Sequence, residues 1–458
     1  MATNLAAYSI MRLSTNYLFI FIFSFLSLLV VDGKAQEVEI LTLEDCLRIG
    51  IDNNLSLEGK RKEIQKSKYG VSENRSKLLP QITVIAGYNN NFDPPVSVTD
   101  GSSYGVPYNI TKTLQHTANA GLEMQMPLFN QTLYTSMSIA KVMEEISRLS
   151  YGKAREDIIM QISKMYYLGQ VTAEQIVLIK ANITRLEELR DITQAFFDNG
   201  MSMEVDLKRV NINLENLKVQ YDNAQAMMKQ QLNMLKYIMD YPAEKEFVLT
   251  PVNTDSITTV ALTGLSENIY ELQLSQSQVR LAEKQKKIIS NGYIPSLSLT
   301  GSWRYAAYTD KGYHWFHSGP SNHWFRSYGL GLTLRIPIFD GLDKTYKIKK
   351  AMIDIENSKL AWENARKSLQ TQYLNAVNDL MNNQRNFKKQ KDNYLLAEDV
   401  YTVTSDRYRE GIASMTEVLQ DEMQMSEAQN NYISAHYNYR VTNLMLLKLT
   451  GQIESLVK

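Results

Sequence analysis

The order of landmarks in this chain runs twice. "LPQITVIAGYNNNF" begins at Leu79-Pro80, and "IPSLSLTGSWRYAAY" begins at Ile294-Pro295, 215 residues later. Pro127 in "MPLF" matches Pro337 in "IPIF" at an offset of 210, and Gly200 in "FFDNGMS" matches Gly411 in "RYREGIAS" at 211. Three landmarks in one order at nearly one spacing mark an internal duplication. Each copy reads as helix, two strands, long helix, turn, helix. The expected division is a first repeat over 36–247, a linker over 248–263 and a second repeat over 264–458.

The strands alternate. Leu297, Leu299, Trp303 and Tyr305 fall on one face and Ser298, Thr300, Ser302 and Arg304 on the other. In the next strand Tyr328, Leu330, Leu332, Leu334 and Ile336 oppose Gly329, Gly331, Thr333 and Arg335. In the first copy Ala118, Ala120, Leu122, Met124 and Met126 oppose Asn119, Gly121, Glu123 and Gln125, while Ile82 to Tyr88 is weaker. Segments of this kind suit a half-buried sheet or a membrane barrel with an apolar outside and a wet inside. Proline lacks a backbone donor and is tolerated at strand ends, and it keeps the residue before it extended. Pro80, Pro127, Pro295 and Pro337 therefore mark four junctions between helix and strand. A plane at which helices become strands four times is what a membrane surface imposes. The segments between paired strands, Phe92 to His116 and Thr309 to Arg326, read as long polar loops, the kind that barrels carry outside the cell.

The rest is helical: Leu43–Leu78, Asn130–Asn199, Met203–Met239, Leu265–Asn291, Leu342–Glu410 and Met415–Leu449. Tyr373, Leu380, Phe387, Tyr394, Tyr401 and Tyr408 recur every seven residues, a heptad that implies supercoiling with neighbouring helices.

Lysine plus arginine and aspartate plus glutamate both number 49 in 458 residues, which argues against a nucleic-acid protein. The apolar run Tyr17–Val31, followed by Gly33 and Ala35, reads as a secretory signal peptide over 1–35, with Met11 a plausible start. The single cysteine, Cys46, permits neither an internal disulfide nor a thiolate metal cage. His314, His317 and His323 lie in an aromatic stretch that reads as an extracellular loop rather than a metal site. Met201, Met203, Met423 and Met425 read as helical gap-fillers. There is no phosphate loop, no metalloprotease motif and no nucleophile elbow, so no enzyme and no cofactor are expected.

Four strands cannot close a barrel, and an open edge in lipid costs several kcal/mol per unpaired group. Two chains give eight strands and a filled interior; three give twelve and room for a channel. A trimer is expected. The whole mature chain resembles the TolC-like outer-membrane efflux protein family: in its opening "LTLEDCLRIGIDNNLSLEGKRKEIQKSK", in the exits "MPLF" and "IPIFDG", and in the turns "NGMSMEVDLKRV" and "EGIASMTEVLQDE". The resemblance implies a mainly α fold. Long antiparallel coiled-coil helices would form a trimeric α-barrel in the periplasm, and four strands per chain would enter a shared twelve-stranded barrel in the outer membrane. It implies docking to a periplasmic adaptor and an inner-membrane transporter through tips at Asn199, Gly200, Met201 and Ser202 and at Glu410, Gly411, Ile412 and Ser414.

The same resemblance implies a gate. Glu417, six after the second tip glycine, falls where the family places a constriction acid; read from the residues alone, it also completes a capping box with Ser414. Three further on the family has a second acid, and this chain has Gln420. Asp206 and Tyr408 match a pair that links helix hairpins in the closed state, while Ala413 stands where the family has a basic latch. The competing expectation is a structural coiled-coil protein of the periplasm or cell surface whose strands form a soluble sheet. The outward apolar faces and the junction prolines favour the channel.

Overall fold

A computed structural model describes residues 39–112, 114–252, 264–309 and 323–457. The call of a signal peptide over 1–35 and the residues His314 and His317 lie outside them, as does most of the proposed linker.

The chain opens with β1 (Glu39–Leu41), α1 (Leu43–Asn53) and α2 (Leu55–Ser76). One helix was expected over Leu43–Leu78, but it breaks at Asn54. The Asn54 side chain accepts from the amides of Ser56 and Leu57 at 2.9 and 3.1 Å, capping α2, and its amide donates to the Ile238 carbonyl at 2.7 Å. Asparagine favours such caps over helix interiors. Then come β2 (Gln81–Asn90), β3 (Val96–Asp100), β4 (Tyr108–Lys112) and β5 (His116–Phe129). The first loop is thus not structureless. "VSVTD" and "YNITK" pair as an antiparallel hairpin, as their β-branched residues allow.

Next follow α3 (Gln131–Asp198), α4 (Glu204–Met239), β6 (Phe247–Leu249), α5 (Tyr270–Ser290), β7 (Ser296–Thr309), β8 (His323–Arg335), α6 (Asp343–Arg409) and α7 (Met415–Leu449). At about 1.5 Å per residue, α3 and α6 are each roughly 100 Å long. Asn130 caps α3 directly behind β5, its side chain accepting from Thr132 N at 3.0 Å. The second copy leaves its sheet through Gly341 and Leu342, both at positive φ.

β2, β5, β7 and β8 form one antiparallel sheet in that order. Register puts Val84, Leu122, Trp303 and Tyr328 in one row, so the alternation read from sequence places one apolar and one polar face across all four strands. Pro80 and Pro295 stand immediately before β2 and β7, and Pro337 stands just past β8. Pro127 lies within β5, at a register shift, where a bulge accommodates its missing donor.

The largest apolar core lies in the middle of the helices, where β1 pairs in parallel with β6 and Leu41, Leu47, Ile159, Ile162, Leu235 and Met239 meet. Gly152 and Gly169 of α3 fall here: a methyl on Gly152 would lie 2.4 Å from the Tyr270 ring. Cys46 is fully buried in this core, which pushes its thiol up to about 12.

Candidate functional site at the hairpin tips

Both hairpins turn by the same device. Gly200 N donates to Phe197 O at 2.9 Å and Met201 N to Phe196 O at 2.8 Å; Gly411 N donates to Tyr408 O at 2.9 Å and Ile412 N to Arg407 O at 2.8 Å. These are paired Schellman closures, and each needs its glycine at φ near +75°. In many such closures the residue after the glycine packs back on the helix. Here Met201 and Ile412 are 67% and 63% exposed, so each tip ends in an uncovered apolar side chain. Met203 and Met423 are exposed as well, and only Met425 fills a core gap as expected.

The returning helices start differently. Ser414 Oγ accepts from Glu417 N and Glu417 Oε2 from Ser414 N, both at 3.3 Å, so Glu417 closes a capping box. At the equivalent place in the first copy stands Met203, and α4 has no side-chain cap. Ser202 Oγ beside it is buried without a partner among the described residues.

Asp206 and Tyr408 are not joined within the chain. Tyr408 is buried against Phe196 at 5.7 Å between ring centroids. Its hydroxyl lies 3.3 Å from Thr193 Oγ1, which itself donates to the Leu189 carbonyl at 2.7 Å, so the tyrosine is the donor. Asp206 instead pairs with Arg209 at 3.4 Å, and Arg209 crosses to Thr416 Oγ1 at 3.3 Å. The restraint is thus a pair of separate links, α6 to α3 and α4 to α7. Gln420 is exposed and lines a groove of about 360 Å³ between α4 and α7, together with Arg209, Ile212 and Met423. Ala413 is partly buried against the apolar cluster of the tip.

Sequence reasoning missed the seam of α7. Glu422, Gln429, His436 and Asn443, seven residues apart, are all buried on the face that carries Val418, Met425, Tyr432 and Tyr439. Gln429 meets Asn182 at 2.7 Å. His436 Nε2 accepts from Arg440 at 3.0 Å, which leaves its proton on Nδ1, 3.4 Å from Glu174. Glu422 lies near the tip on the α7 face that carries Val418 and Met425, with Tyr401 opposite and one carboxylate oxygen unpartnered among the described residues. Burial raises its pKa to about 7. The same heptad count applied to α6 would have exposed this seam.

At the other end, the polar face of the sheet forms an open groove of about 580 Å³ lined by Thr83, Glu123, Gln125, Thr300, Ser302 and Arg304. Arg304 bridges to Glu123 at 2.5 Å across β5 and β7. A sheet apolar on one face and wet on the other, continued by long helical hairpins with tight tips, defines a channel-forming protein of the outer membrane. A sequence profile of outer membrane efflux proteins matches residues 49–239 and 261–452, one stretch in each copy. The chain belongs to the outer membrane efflux protein family. It is 21% identical over 396 residues to the outer membrane protein TolC of Vibrio cholerae, covering 84% of each chain. It is 23% identical to the probable efflux pump outer membrane protein TtgC of Pseudomonas putida, covering 78% of this chain and 75% of that one. Its fold matches the Vibrio cholerae outer membrane protein VceC with a TM-score of 0.71 at 14% identity, covering 89% of this chain and 96% of that one. It also matches the open state of the Neisseria gonorrhoeae MtrE channel with a TM-score of 0.71 at 18% identity, covering 89% and 88%.

Proposed function

We propose that three copies of this chain close one twelve-stranded barrel and one helical tunnel, forming the exit duct of a tripartite efflux or secretion system. The observation that carries this is the sheet: β2 and β8 are its two unpaired edges, and each needs a neighbour in lipid. The helices support the same reading. Ile353, Leu360, Leu374, Met381 and Leu395 form an exposed stripe at multiples of seven on α6, and Val205, Ile212 and Val219 form another on α4. Both are apolar seams that want partner helices. Within this reading the two sequence copies are two structural repeats per chain.

The uncovered tips at Asn199–Ser202 and Glu410–Ser414 are the docking points for a periplasmic adaptor, which connects the duct to an inner-membrane transporter. Glu417 and Gln420 face the narrowing bore, and the Tyr408 and Asp206 links restrain it. The four junction prolines fix the level at which tunnel becomes barrel. The reading is tested by mass measurement of the detergent-solubilised protein with the detergent contribution subtracted. Three chains per particle are expected; a monomer or dimer refutes it.

A further inference from the structure

The helix ends nearest the sheet carry cations that neither the bore nor the tips explain. α2 closes with Lys68, Arg75 and Lys77. α5 closes with Lys284, Lys286 and Lys287, with no acidic residue between there and Pro295. α6 opens with Lys344, Lys347, Lys349 and Lys350. The acids of these segments, Glu73, Asp340 and Asp343, are each held by a lysine, at 3.2, 2.8 and 2.7 Å. Lys68, Arg75, Lys287, Lys349 and Lys350 are exposed and make no ion pair among the described residues. The chain as a whole is neutral, so this level holds a local excess.

The level is set by the sheet. At about 1.5 Å per residue, Arg75 lies roughly 8 Å and Lys284 roughly 16 Å from the prolines that precede β2 and β7. Exposed Tyr69, Tyr293 and Tyr346 occupy the same zone; Lys344 sits 5.2 Å above the Tyr293 ring and Lys349 5.5 Å from that of Tyr346. Beside them Ile338 and Phe339 are 94% and 80% exposed. Apolar side chains, then tyrosines, then lysines is the sequence of side chains that a lipid–water boundary selects. Between α5 and α6, Lys286, Lys287 and Lys359 line one groove of about 510 Å³ with Met352, Ile355 and Glu283. Three lysines against one glutamate line it, a net positive groove.

We infer that this basic collar binds the anionic phospholipid headgroups of the leaflet facing the periplasm, anchoring the duct at a fixed depth. The inference rests on the sheet lying in the outer membrane. Such attraction fades within a Debye length, about 8 Å at physiological salt, so the cations nearest the junction dominate.

The test uses the full chain reconstituted in phosphatidylethanolamine vesicles. Spin-labelled phosphatidylglycerol is compared with spin-labelled phosphatidylethanolamine as the lipid at the protein boundary, and flotation reads insertion separately. The wild type should prefer phosphatidylglycerol, and raised salt should weaken the preference. In R75Q/K287Q, the unpaired cations nearest the junction, it should fall by up to about fivefold for each cation at the surface. The control K180Q/K229Q, remote from the junction, should keep it. Equal association of both lipids with the inserted wild type overturns the inference. So does an equal loss in the control, or displacement of the labelled lipid by inorganic phosphate, which would mean a seat for a soluble anion. A wild type that fails to float removes the membrane placement, and the inference with it.

Discussion

Glu422 makes the tip sensitive to pH. It is 4% exposed, and its Oε1 has no hydrogen-bond partner among the described residues. The charged groups around it are engaged elsewhere: Arg185 of α3 with Glu398, Arg409 of α6 with Glu188, and Arg209 of α4 with Asp206. Tyr401 faces it from α6 and is itself pushed up to about 12, mostly by burial and next by the carboxylate of Glu422. Loss of solvation alone raises Glu422 from 4.5 to about 7. At 1.36 kcal/mol per pH unit, keeping the packed tip with this group ionised costs about 3 kcal/mol per chain. The sign follows from the raised value. Below pH 4.5 the carboxyl is neutral in both packed and unpacked states and there is no penalty. The penalty grows as pH climbs through 4.5 toward 7 and is complete above it. The tip hairpins should therefore be most tightly packed in mild acid and loosest at pH 8. Hydrogen exchange at the first turns of α7, measured between pH 5 and pH 8 and corrected for the intrinsic exchange rate, reads this directly. Glu422→Gln keeps the shape and removes the charge, so its tip should stay protected across the range. Glu156 is a second buried carboxyl near 7, raised by burial against the opposing pull of Lys448, but it lies in the middle core and leaves the tip peptides alone. If wild type and Glu422→Gln lose tip protection in parallel as pH rises, the reasoning is wrong.

Tyr408→Phe deletes the bond to Thr193 and should loosen the tip by about 1 kcal/mol, seen as higher single-channel conductance in planar bilayers; unchanged conductance would leave only ring packing as its role. Met203→Ser supplies the N-cap that the first hairpin lacks and should stabilise it by about 1 kcal/mol, whereas Ser414→Ala should cost the second a similar amount; equal unfolding transitions in all three proteins would contradict this. Glu417→Gln should lower cation preference and weaken block by multivalent cations, and if selectivity holds while the fold is intact, Glu417 is a helix cap alone. Cysteines placed at Ser298 and Thr333 should react with a membrane-impermeant thiol reagent while those at Leu299 and Leu334 do not. The buried Cys46, with its thiol pushed up to about 12, should stay silent in that scan; labelling on both faces would mean the sheet is not two-faced.

The long elements were legible because periodicity and punctuation agree in them. α7 runs Met415–Leu449, the span its capping box and apolar repeat announce, and strand alternation carried over into one register across all four strands. What failed was local. Asn54 breaks a helix through a side-chain cap whose other half is the Ile238 carbonyl, far along the chain. The hairpin of β3 and β4 is two five-residue strands, too short for alternation to separate from loop. The parallel pair of β1 and β6 joins segments about two hundred residues apart, and nothing local marks either three-residue strand. The bonds that Tyr408 and Asp206 make within the chain were not legible for a related reason. Position in the repeat indicates that Tyr408 and Asp206 are near the tip, but not that Thr193 and Arg209 stand closer to each than they do to one another.

The α7 seam shows how a pattern can be visible and still need partners to be understood. Polar residues at one heptad position cost stability and are tolerated when a facing group satisfies them. Away from the tip polar pairs cross between helices: Gln429 and Asn182 exchange two bonds, Tyr432 donates to Glu174 at 2.9 Å and Asn383 to Thr442 at 2.8 Å, whereas Asn443 and His436 bond to Tyr439 and Arg440 within α7 and Asn443 Oδ1 has no partner among the described residues. At Glu422, the layer closest to the tip, Oε1 has no partner among the described residues and Tyr401 faces it from α6. The restraint on this hairpin therefore weakens toward its end. Above the Glu422 layer the helices are pinned by specific polar pairs. From that layer down they are held by apolar packing, the Tyr408 bond, the Arg209 bridge and the exposed Arg409–Glu188 pair at 3.3 Å. Within the proposed duct, opening by splayed tips would start at the Glu422 layer, so substitution of Gln429 or Asn182 should extend the pH-dependent loss of protection further up α7, and unchanged exchange there would contradict this.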